Sequence, residues 1–214
     1  MRNTPTLNAN LVLTALVVAV ASLGPSAAAQ AKPLAHRVVR PADLDPSLVP
    51  KGIWLHGLVF TDSRGDNSVT FTAVNKTSKA KGSGEDPQNS RYLLVRHVRD
   101  GKVIREVNDK VERCQFDLSL ELAQAALAVT DLDGDGQAEV TFAYKLACRS
   151  DVSPRDLKLL VLEDGAKFIL RGSTVVNDGT GTAGGEFKAE PAKASWPVGF
   201  YQHAEKLWRL VVKD

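Results

Sequence analysis

The amino-acid sequence predicts a mainly β fold: two antiparallel four-stranded repeat units followed by one C-terminal α-helix. Three observations lead to this prediction. From residue 53 onward, short runs rich in Val, Phe, Thr and Tyr alternate with Gly, Asp and Asn, which is typical of strands and turns. Two Asp-Gly dipeptides lie between alternating hydrophobic residues, and two longer segments resemble each other. The two units could pack as a sandwich or stand side by side like two propeller blades, and the sequence leaves both arrangements open.

Each Asp-Gly dipeptide predicts a tight β-hairpin. These dipeptides are Asp100-Gly101 and Asp164-Gly165. A two-residue hairpin turn needs backbone with positive φ, which Gly adopts without steric cost. The strands predicted on either side are residues 92–98 and 103–107 for the first hairpin, and residues 157–162 and 167–171 for the second.

Two segments of the sequence look like copies of one unit. In the first, Thr61-Asp62 precedes Gly65-Asp66 and Val69-Thr70-Phe71; in the second, Thr130-Asp131 precedes Gly134-Asp135 and Val140-Thr141-Phe142, with two extra residues in the turn. Self-similarity of this kind indicates an internal duplication. We therefore predict a single β domain over residues 53–214 that contains two repeats, residues 53–110 and 111–173.

The N-terminus has the pattern of a secretory signal peptide. Arg2 is followed by an apolar run over residues 11–23 and then by small residues at 27–31. The run has about 13 residues, whereas a helix needs about 20 to span a bilayer. The sequence therefore predicts a signal peptide over residues 1–31 that is cleaved, a periplasmic or extracellular location, and no stable membrane span after cleavage.

Two further segments are predicted to lie outside the repeats. Residues 32–52 contain four prolines and are predicted to form an extended lead-in. Residues 174–194 form a Gly-rich stretch whose central part has too little apolar content to pack, which predicts a mobile loop.

The C-terminal tail has helical periodicity. Ser195 can cap a helix, and Pro197 suits a first helical turn. Apolar residues then recur at helical spacing, namely Phe200, Tyr201, Ala204, Leu207, Trp208 and Val211. The pattern predicts a helix over residues 196–211 that lays one apolar face on a sheet.

The chain has two cysteines, Cys114 and Cys148. Exported proteins meet oxidising conditions, where a pair of cysteines is usually bridged. We therefore predict a Cys114–Cys148 disulfide. The alternative is two buried thiols, and a redox role is disfavoured because the pair has no Cys-X-X-Cys spacing.

The acidic segment 131–139 is the one motif that carries chemistry. Its four carboxylates are Asp131, Asp133, Asp135 and Glu139. Alternate Asp side chains can converge on one point if the backbone curls tightly, and Gly136 allows a sharp turn. With the carbonyl oxygen of Gln137 and the carboxylate of Glu139, they would form an all-oxygen shell, which suits Ca²⁺. The alternative is a solvated acidic turn.

The segment departs from a helix-loop-helix calcium loop. Position twelve is Phe142, where that loop requires a bidentate Glu, and both flanks have strand character. We therefore expect a modest affinity, on the order of 10⁻⁴ to 10⁻³ M. The matching turn of the first repeat, residues 62–67, has Arg64 among its would-be ligands, so we predict no metal ion there.

The acidic segment resembles the Asp-rich calcium hairpin of the FG-GAP and VCBS blades, which occur in integrin-like propellers and many exported bacterial proteins. A wider set of residues is similar to a family of small exported bacterial proteins known as surface-polysaccharide biosynthesis proteins. That set comprises residues 130–133 through Phe142, 148–154, 157–159, Arg171-Gly172, Thr61-Asp62-Ser63, Gly65-Asp66-Asn67, Cys114, Asp117, Ala204 and Trp208. This resemblance implies a role in envelope glycan assembly, and it brings no agreed catalytic residues.

The balance of charged residues and the absence of known catalytic motifs narrow the possible classes of function. Lys and Arg number 27 against 25 Asp and Glu, so there is no basic surface of the kind that binds nucleic acid. The chain has no nucleophile elbow, phosphate-binding loop or His-Glu-x-x-His motif. The histidines lie far apart in the sequence and form no local metal pair; they are His36, His56, His97 and His203.

Two functions stay open. The first hypothesis is a calcium-stabilised, non-enzymatic binding or structural module of the bacterial envelope, whose partner is an envelope glycan or an envelope protein. The second is a periplasmic glycan-processing enzyme whose carboxylates come from different strands. The sequence does not determine the oligomeric state.

Overall fold

The computed structural model describes residue 1 and residues 32–78, 87–177, 179 and 181–214. The predicted signal peptide therefore lies outside the described residues, apart from Met1. Among the residues that the structure describes, no helix combines the length and the apolar character needed to cross a membrane.

The described chain is mainly β, and it ends in one α-helix, as predicted. The strands are β1 (Lys32–Pro33), β2 (His36–Val38), β3 (Ile53–Asp62), β4 (Gly65–Ser78), β5 (Gln88–Arg99), β6 (Lys102–Cys114), β7 (Asp117–Asp131), β8 (Glu139–Arg149), β9 (Asp156–Glu163), β10 (Ala166–Ser173), β11 (Val175–Asn177), β12 (Thr182–Gly184) and β13 (Phe187–Glu190). The helix is α1 (Phe200–Val211), and short 3₁₀ turns lie at Pro41–Asp43 and Lys193–Ser195.

The strands form two large antiparallel sheets and one small ribbon. The five-stranded sheet has the order β2-β3-β4-β5-β6, and the six-stranded sheet has the order β1-β7-β8-β9-β10-β13. Strands β11 and β12 form a separate two-stranded ribbon, and Val175 of β11 also makes an isolated parallel bridge with Lys213. Each large sheet thus contains four consecutive strands joined as an up-and-down meander. No propeller or closed sheet occurs within the described ranges.

The two large sheets face each other across a shared hydrophobic core. Successive side chains of a strand point to opposite faces, so Val140, Phe142, Tyr144 and Leu146 of β8 all enter this core. Across the core, the ring of Phe142 makes an edge contact with Phe71 of β4 at a centroid distance of 5.1 Å. The two meanders are therefore stacked face to face rather than set side by side.

A second core covers the opposite face of the six-stranded sheet. Helix α1 buries Phe200, Ala204, Trp208 and Val211, whose spacing of four, four and three places them on one side. They pack with Leu159 and Val161 of β9 and with other residues of that face. The fold thus has three layers, in the order sheet, sheet, helix, and β8 and β9 are buried on both faces.

The helix begins later than the sequence predicts. Ser195 ends a 3₁₀ turn, and Gly199 precedes the helix with a φ of 88°. This left-handed conformation breaks the helical path, so α1 begins at Phe200 instead of residue 196. The C-terminal boundary at Val211 agrees with the prediction.

The segments outside the repeats contribute edge strands. The lead-in supplies β1 to the six-stranded sheet and β2 to the five-stranded sheet. The Gly-rich segment contains β11, β12 and β13, and β13 pairs with β10 at the sheet edge. Edge strands are held by backbone hydrogen bonds, and these short ones leave no periodic pattern of apolar side chains in the sequence.

The predicted disulfide is present in the structure. Cys114 and Cys148 are bridged, with their Cα atoms 5.5 Å apart. The bond joins the end of β6 to β8, so it links the two sheets covalently. It lies at the opposite end of β8 from the acidic segment, which precedes that strand.

Candidate metal centre

The acidic segment forms the loop between β7 and β8, at one end of the two stacked sheets. Two other turns meet it there. The backbone N–H of Ser63, in the β3–β4 turn, donates to the carbonyl oxygen of Gly136 at 2.9 Å. Arg64 of that turn lies 3.6 Å from the carboxylate of Asp164, in the β9–β10 turn. Three hairpin ends, the acidic loop among them, therefore meet at this end of the two sheets.

The loop brings acidic side chains together in two overlapping clusters. Asp131, Asp133 and Glu139 offer oxygens that all lie within 4.8 Å of one another. Asp133 and Asp135 form a second such group with Glu163 of β9. Clusters of this size could hold a metal ion, and Asp133 belongs to both.

The loop curls because of its glycines and its Asp side chains. Gly134 and Gly136 have φ angles of 83° and 82°, which side chains with a Cβ rarely adopt. Asp131 Oδ1 accepts a hydrogen bond from the N–H of Gly134 at 2.8 Å, and Asp135 Oδ1 accepts one from the N–H of Gln137 at 2.7 Å. These local bonds fold the chain back on itself, but Asp135 groups with Asp133 and Glu163 instead of joining Asp131 and Glu139 in one shell.

Glu139 is the most deeply placed of the acidic side chains. The residue is 0% exposed, and its Oε2 atom accepts hydrogen bonds from the N–H of Leu132 at 2.8 Å and the hydroxyl of Thr130 at 3.1 Å. Its Oε1 atom is buried and receives no hydrogen bond from an N–H or hydroxyl group of the described residues, although the carboxyl can share a proton with that of Glu163. A buried charge without a partner is costly, so the charge of Glu139 must be paired with a cation or neutralised by a proton.

The pKa of Glu139 reflects this conflict. Burial, and to a smaller extent the nearby Glu163, together raise the pKa of this carboxyl to about 8. The hydrogen bonds from Leu132 and Thr130 act in the opposite direction and favour the charged form. Without a bound cation, a proton on the pair of Glu139 and Glu163 is therefore favoured at neutral pH.

Glu163 is a candidate ligand to which the sequence pattern did not point. It is the last residue of β9, and its Oε1 atom is also buried without a hydrogen-bond partner among the described residues. Burial raises its pKa, and the charges of Asp133 and Asp135 add to the effect. In the sequence, Glu163 stands immediately before an Asp-Gly turn, which places it at the end of a strand. Its proximity to the acidic loop depends on the pairing of β8 with β9.

The two acidic clusters together contain five carboxylates, namely Asp131, Asp133, Asp135, Glu139 and Glu163. Within the part of the chain that the structure describes, no Lys, Arg or His forms an ion pair with any of them. The neighbouring Asp164 does have such partners, Arg64 and Arg99. A concentration of negative charge that lacks an internal counter-ion is the environment in which a divalent cation binds.

Gln137 was predicted to supply its carbonyl oxygen, and that role stays a prediction. Its side-chain amide and its backbone N–H both donate to the carboxylate of Asp135. Its Oε1 atom is buried without a hydrogen-bond partner among the described residues. Gln137 thus holds Asp135 in place within the loop.

The matching turn of the first repeat contains an internal cation. Asp62 has a fully buried side chain, and the guanidinium of Arg99 lies 3.6 Å from its Oδ2 atom. The prediction that this turn binds no metal was based on Arg64, which instead reaches across to Asp164. Arg99 of β5 is therefore the positive charge that balances Asp62.

A groove of about 740 Å³ lies between the lead-in and the five-stranded sheet. Its walls include Arg37 and Leu48 of the lead-in, Thr61, and two exposed carboxylates, Asp66 and Asp100. The hydroxyl of Thr61 donates to Asp66 at 2.7 Å, and the backbone N–H of Asp66 donates to Asp100 at 3.0 Å. Both carboxylates are thus fixed in place outside the metal centre.

Comparison of the chain with protein-family models, with curated proteins and with solved structures gave no match.

Proposed function

We propose that the protein is an exported, calcium-stabilised β module of the bacterial envelope that binds or supports an envelope partner without catalysis. The observation that carries the proposal is the fully buried Glu139, which clusters with Asp131 and Asp133 and whose Oε1 receives no hydrogen bond from an N–H or hydroxyl group of the described residues. A cation bound by the loop would compensate the buried negative charge of this carboxylate.

Calcium fits the donor set best. The clustered donors are carboxylate oxygens, and neither cluster includes His or Cys. Hard oxygen donors suit Ca²⁺, which accepts six to eight ligands in irregular geometry, whereas Zn²⁺ and Cu²⁺ favour imidazole or thiolate. The signal-like N-terminus would bring the protein to a compartment where calcium is abundant, which agrees with the modest affinity that we expect.

The ion would fix the end of the domain where the hairpins meet. Asp131, Asp133 and Glu139 belong to the β7–β8 loop, whereas Glu163 belongs to the next hairpin. One ion held by both would therefore connect two hairpins of the six-stranded sheet. We propose that this rigid end presents the exposed turns to an envelope glycan or an envelope protein.

The metal hypothesis is tested by the melting temperature of the purified protein in millimolar Ca²⁺ and in chelator. We expect Ca²⁺ to raise the melting temperature, because it binds the folded state preferentially. Asp133→Ala should abolish the rise, since Asp133 belongs to both acidic clusters. Asp117→Ala, an exposed residue at the far end of β7, is the matched control and should retain it. An unchanged melting temperature in wild type would contradict the proposal.

The binding role is tested separately with a glycan array. We expect the wild-type protein to bind a subset of bacterial envelope glycans in Ca²⁺ and to lose this binding in chelator. Asp133→Ala should not bind in either condition. Binding that does not depend on calcium would leave the metal centre with a purely structural role.

The groove supports a second candidate function, a glycan-processing hydrolase. Asp66 and Asp100 come from different elements and line the same cavity, and glycosidases use two carboxyl groups as an acid and a base or nucleophile. Hydrolysis of oligosaccharides by the wild-type protein, with its loss in both Asp66→Asn and Asp100→Asn, would support the enzyme. Activity that is unchanged in both variants would exclude this pair.

A further inference from the structure

We propose that Arg99, in the five-stranded sheet, is a positioning residue that sets the ion affinity of the metal centre in the six-stranded sheet. The inference rests on the proposed function, because it concerns the ion that we assign to the β7–β8 loop. Arg99 makes ion pairs with two carboxylates, Asp62 and Asp164. Asp62 contacts the acidic loop between β7 and β8. Asp164 directly follows Glu163, the carboxylate that β9 contributes to the second acidic cluster.

The first connection runs through Asp62 to the acidic loop. Asp62 Oδ2 lies 3.6 Å from the guanidinium of Arg99 and accepts a hydrogen bond from the N–H of Ala138 at 3.1 Å. The neighbouring Ser63 donates its N–H to the carbonyl oxygen of Gly136 at 2.9 Å. These two bonds hold the chain on both sides of Gln137 and immediately before Glu139. Asp62 therefore fixes the half of the loop that leads into β8.

The second connection runs through Asp164 to Glu163. The guanidinium of Arg99 donates to Asp164 Oδ1. Asp164 directly follows Glu163, the carboxylate that the next hairpin contributes to the second acidic cluster. Arg99 thus fixes the β9–β10 turn as well as the β7–β8 loop, and the relative position of these two segments determines whether their oxygens converge.

Arg99 is itself held firmly. Its side chain is 9% exposed, and its Nε donates to Asn67 Oδ1 at 3.1 Å. The same oxygen lies 2.9 Å from the ring of His97, which burial keeps uncharged by lowering its pKa to about 4. A neutral His97 leaves Arg99 as the cation shared by Asp62 and Asp164. One arm of the guanidinium fork donates to Asp164, and the other lies 3.6 Å from Asp62 as an ion pair without a hydrogen bond among the described residues. The single ammonium group of Lys spans two carboxylates less well.

The coupling must act in both directions. If the contacts of Arg99 favour the ion-binding arrangement of the loop, the bound ion must favour those contacts equally. The ion would then strengthen the junction between the two sheets, although all its proposed side-chain ligands lie in one sheet and its loop. Asp62 would serve as an anchor for the neighbouring loop instead of an ion ligand.

The test is calcium titration calorimetry on the full chain with Arg99→Met, which removes the guanidinium and keeps an unbranched side chain. We expect an affinity about 10-fold weaker than wild type, within the range typical of coupling between sites. Arg99→Lys, which keeps the charge but not the fork, should give an intermediate affinity. Arg96→Met is the matched control: Arg96 lies on the same strand, pairs with Glu106 at 2.8 Å, and should leave the calcium affinity unchanged.

The outcomes separate positioning from general stability. A wild-type calcium affinity in Arg99→Met would overturn the inference, even if the melting temperature in chelator falls. No calcium binding by the wild-type protein would contradict the proposed function first. If Arg99→Met does not fold, Asp62→Asn provides the same test, since it retains the volume but removes the charge that pairs with Arg99; we expect its affinity to be several-fold weaker than wild type, and an unchanged affinity would again contradict the inference.

Discussion

At the scale of single residues, Glu139 carries the clearest physical conflict in the molecule. It is completely buried, its Oε1 receives no hydrogen bond from an N–H or hydroxyl group in the described part of the chain, and it clusters with other acids. Its pKa rises to about 8 because burial disfavours the charge. A bound cation reverses this preference, since it needs the ionised carboxylate as a ligand. Proton and metal ion therefore compete for the same group.

This competition predicts opposite pH trends with and without calcium. In chelator, the folded-state pKa of Glu139 lies above its ordinary value of 4.5, so its contribution to stability is present below pH 4.5 and is lost as the pH rises to about 8. Over the same interval, calcium affinity should increase. Urea unfolding in chelator at pH 5 and pH 8, together with calorimetry at both values, measures the two trends. Subtracting the same curves for Glu139→Gln isolates this residue, and a variant with the wild-type pH dependence would contradict the assignment.

The candidate site could be predicted in part from local sequence. Spacing alone identified Asp131, Asp133, Asp135 and Glu139, because a curled loop brings alternate side chains together. Glu163 could not be found in this way, because its proximity depends on strand pairing. Arg99 was missed for the same reason: its partners Asp62 and Asp164 are distant in sequence and meet only when the two sheets stack.

At the scale of elements, helix α1 forms a full layer of the structure. Trp208 is 2% exposed, its ring lies 4.9 Å from that of Phe187 on β13, and its indole N–H donates to the carbonyl oxygen of Gly185 at 3.3 Å. The helix therefore covers the outer face of the six-stranded sheet and also holds the Gly-rich segment against that sheet. Without α1, one face of β9 and β10 would be exposed.

Trp208→Ala should lower the free energy of unfolding by about 3 to 5 kcal/mol, the usual cost of truncating a buried Trp. Leu210→Ala is the control on the same helix, because Leu210 is 61% exposed and its truncation should change stability by less than about 0.5 kcal/mol. Urea unfolding followed by circular dichroism measures both. Equal effects of the two variants would show that α1 does not pack as described.

Elements with strong local signals agree with the sequence-based expectation. Both Asp-Gly turns have positive φ at each residue, with Asp100 at 48° and Asp164 at 41°. The C-terminal helix follows its apolar spacing and differs only at its start. The edge strands β1, β2 and β11 to β13 were not predicted, because short pairings depend on the position of a neighbouring strand and leave little trace in side-chain pattern.

At the scale of the whole molecule, connections between the two sheets lie at both ends of β8. At one end, the Cys114–Cys148 disulfide joins β6 to β8. At the other end, Arg99, Asp62 and Ser63 connect the five-stranded sheet to the acidic loop. The sequence left the stacking of the repeats open, since similar apolar patterns allow either arrangement; the packing of Phe71 against Phe142 belongs to the face-to-face arrangement.

Replacing both cysteines with Ala should lower the free energy of unfolding by about 4 kcal/mol, because the crosslink closes a loop of 34 residues in the unfolded chain. The calcium-induced rise in melting temperature should remain, since the acidic loop lies at the other end of β8. Denaturation of the double variant with and without Ca²⁺ measures both effects. Loss of the calcium response would show that the two ends do not act separately.

The position of β8 has a consequence for how the protein opens. Its residues from Glu139 to Leu146 are all buried, between two neighbouring strands and between the two cores. Its amide hydrogens can then exchange with solvent only when both layers separate, whereas those of β2 and β13 can exchange through local fraying. The acidic loop leads directly into this strand, so the ion-binding segment is anchored in the slowest-exchanging part of the domain.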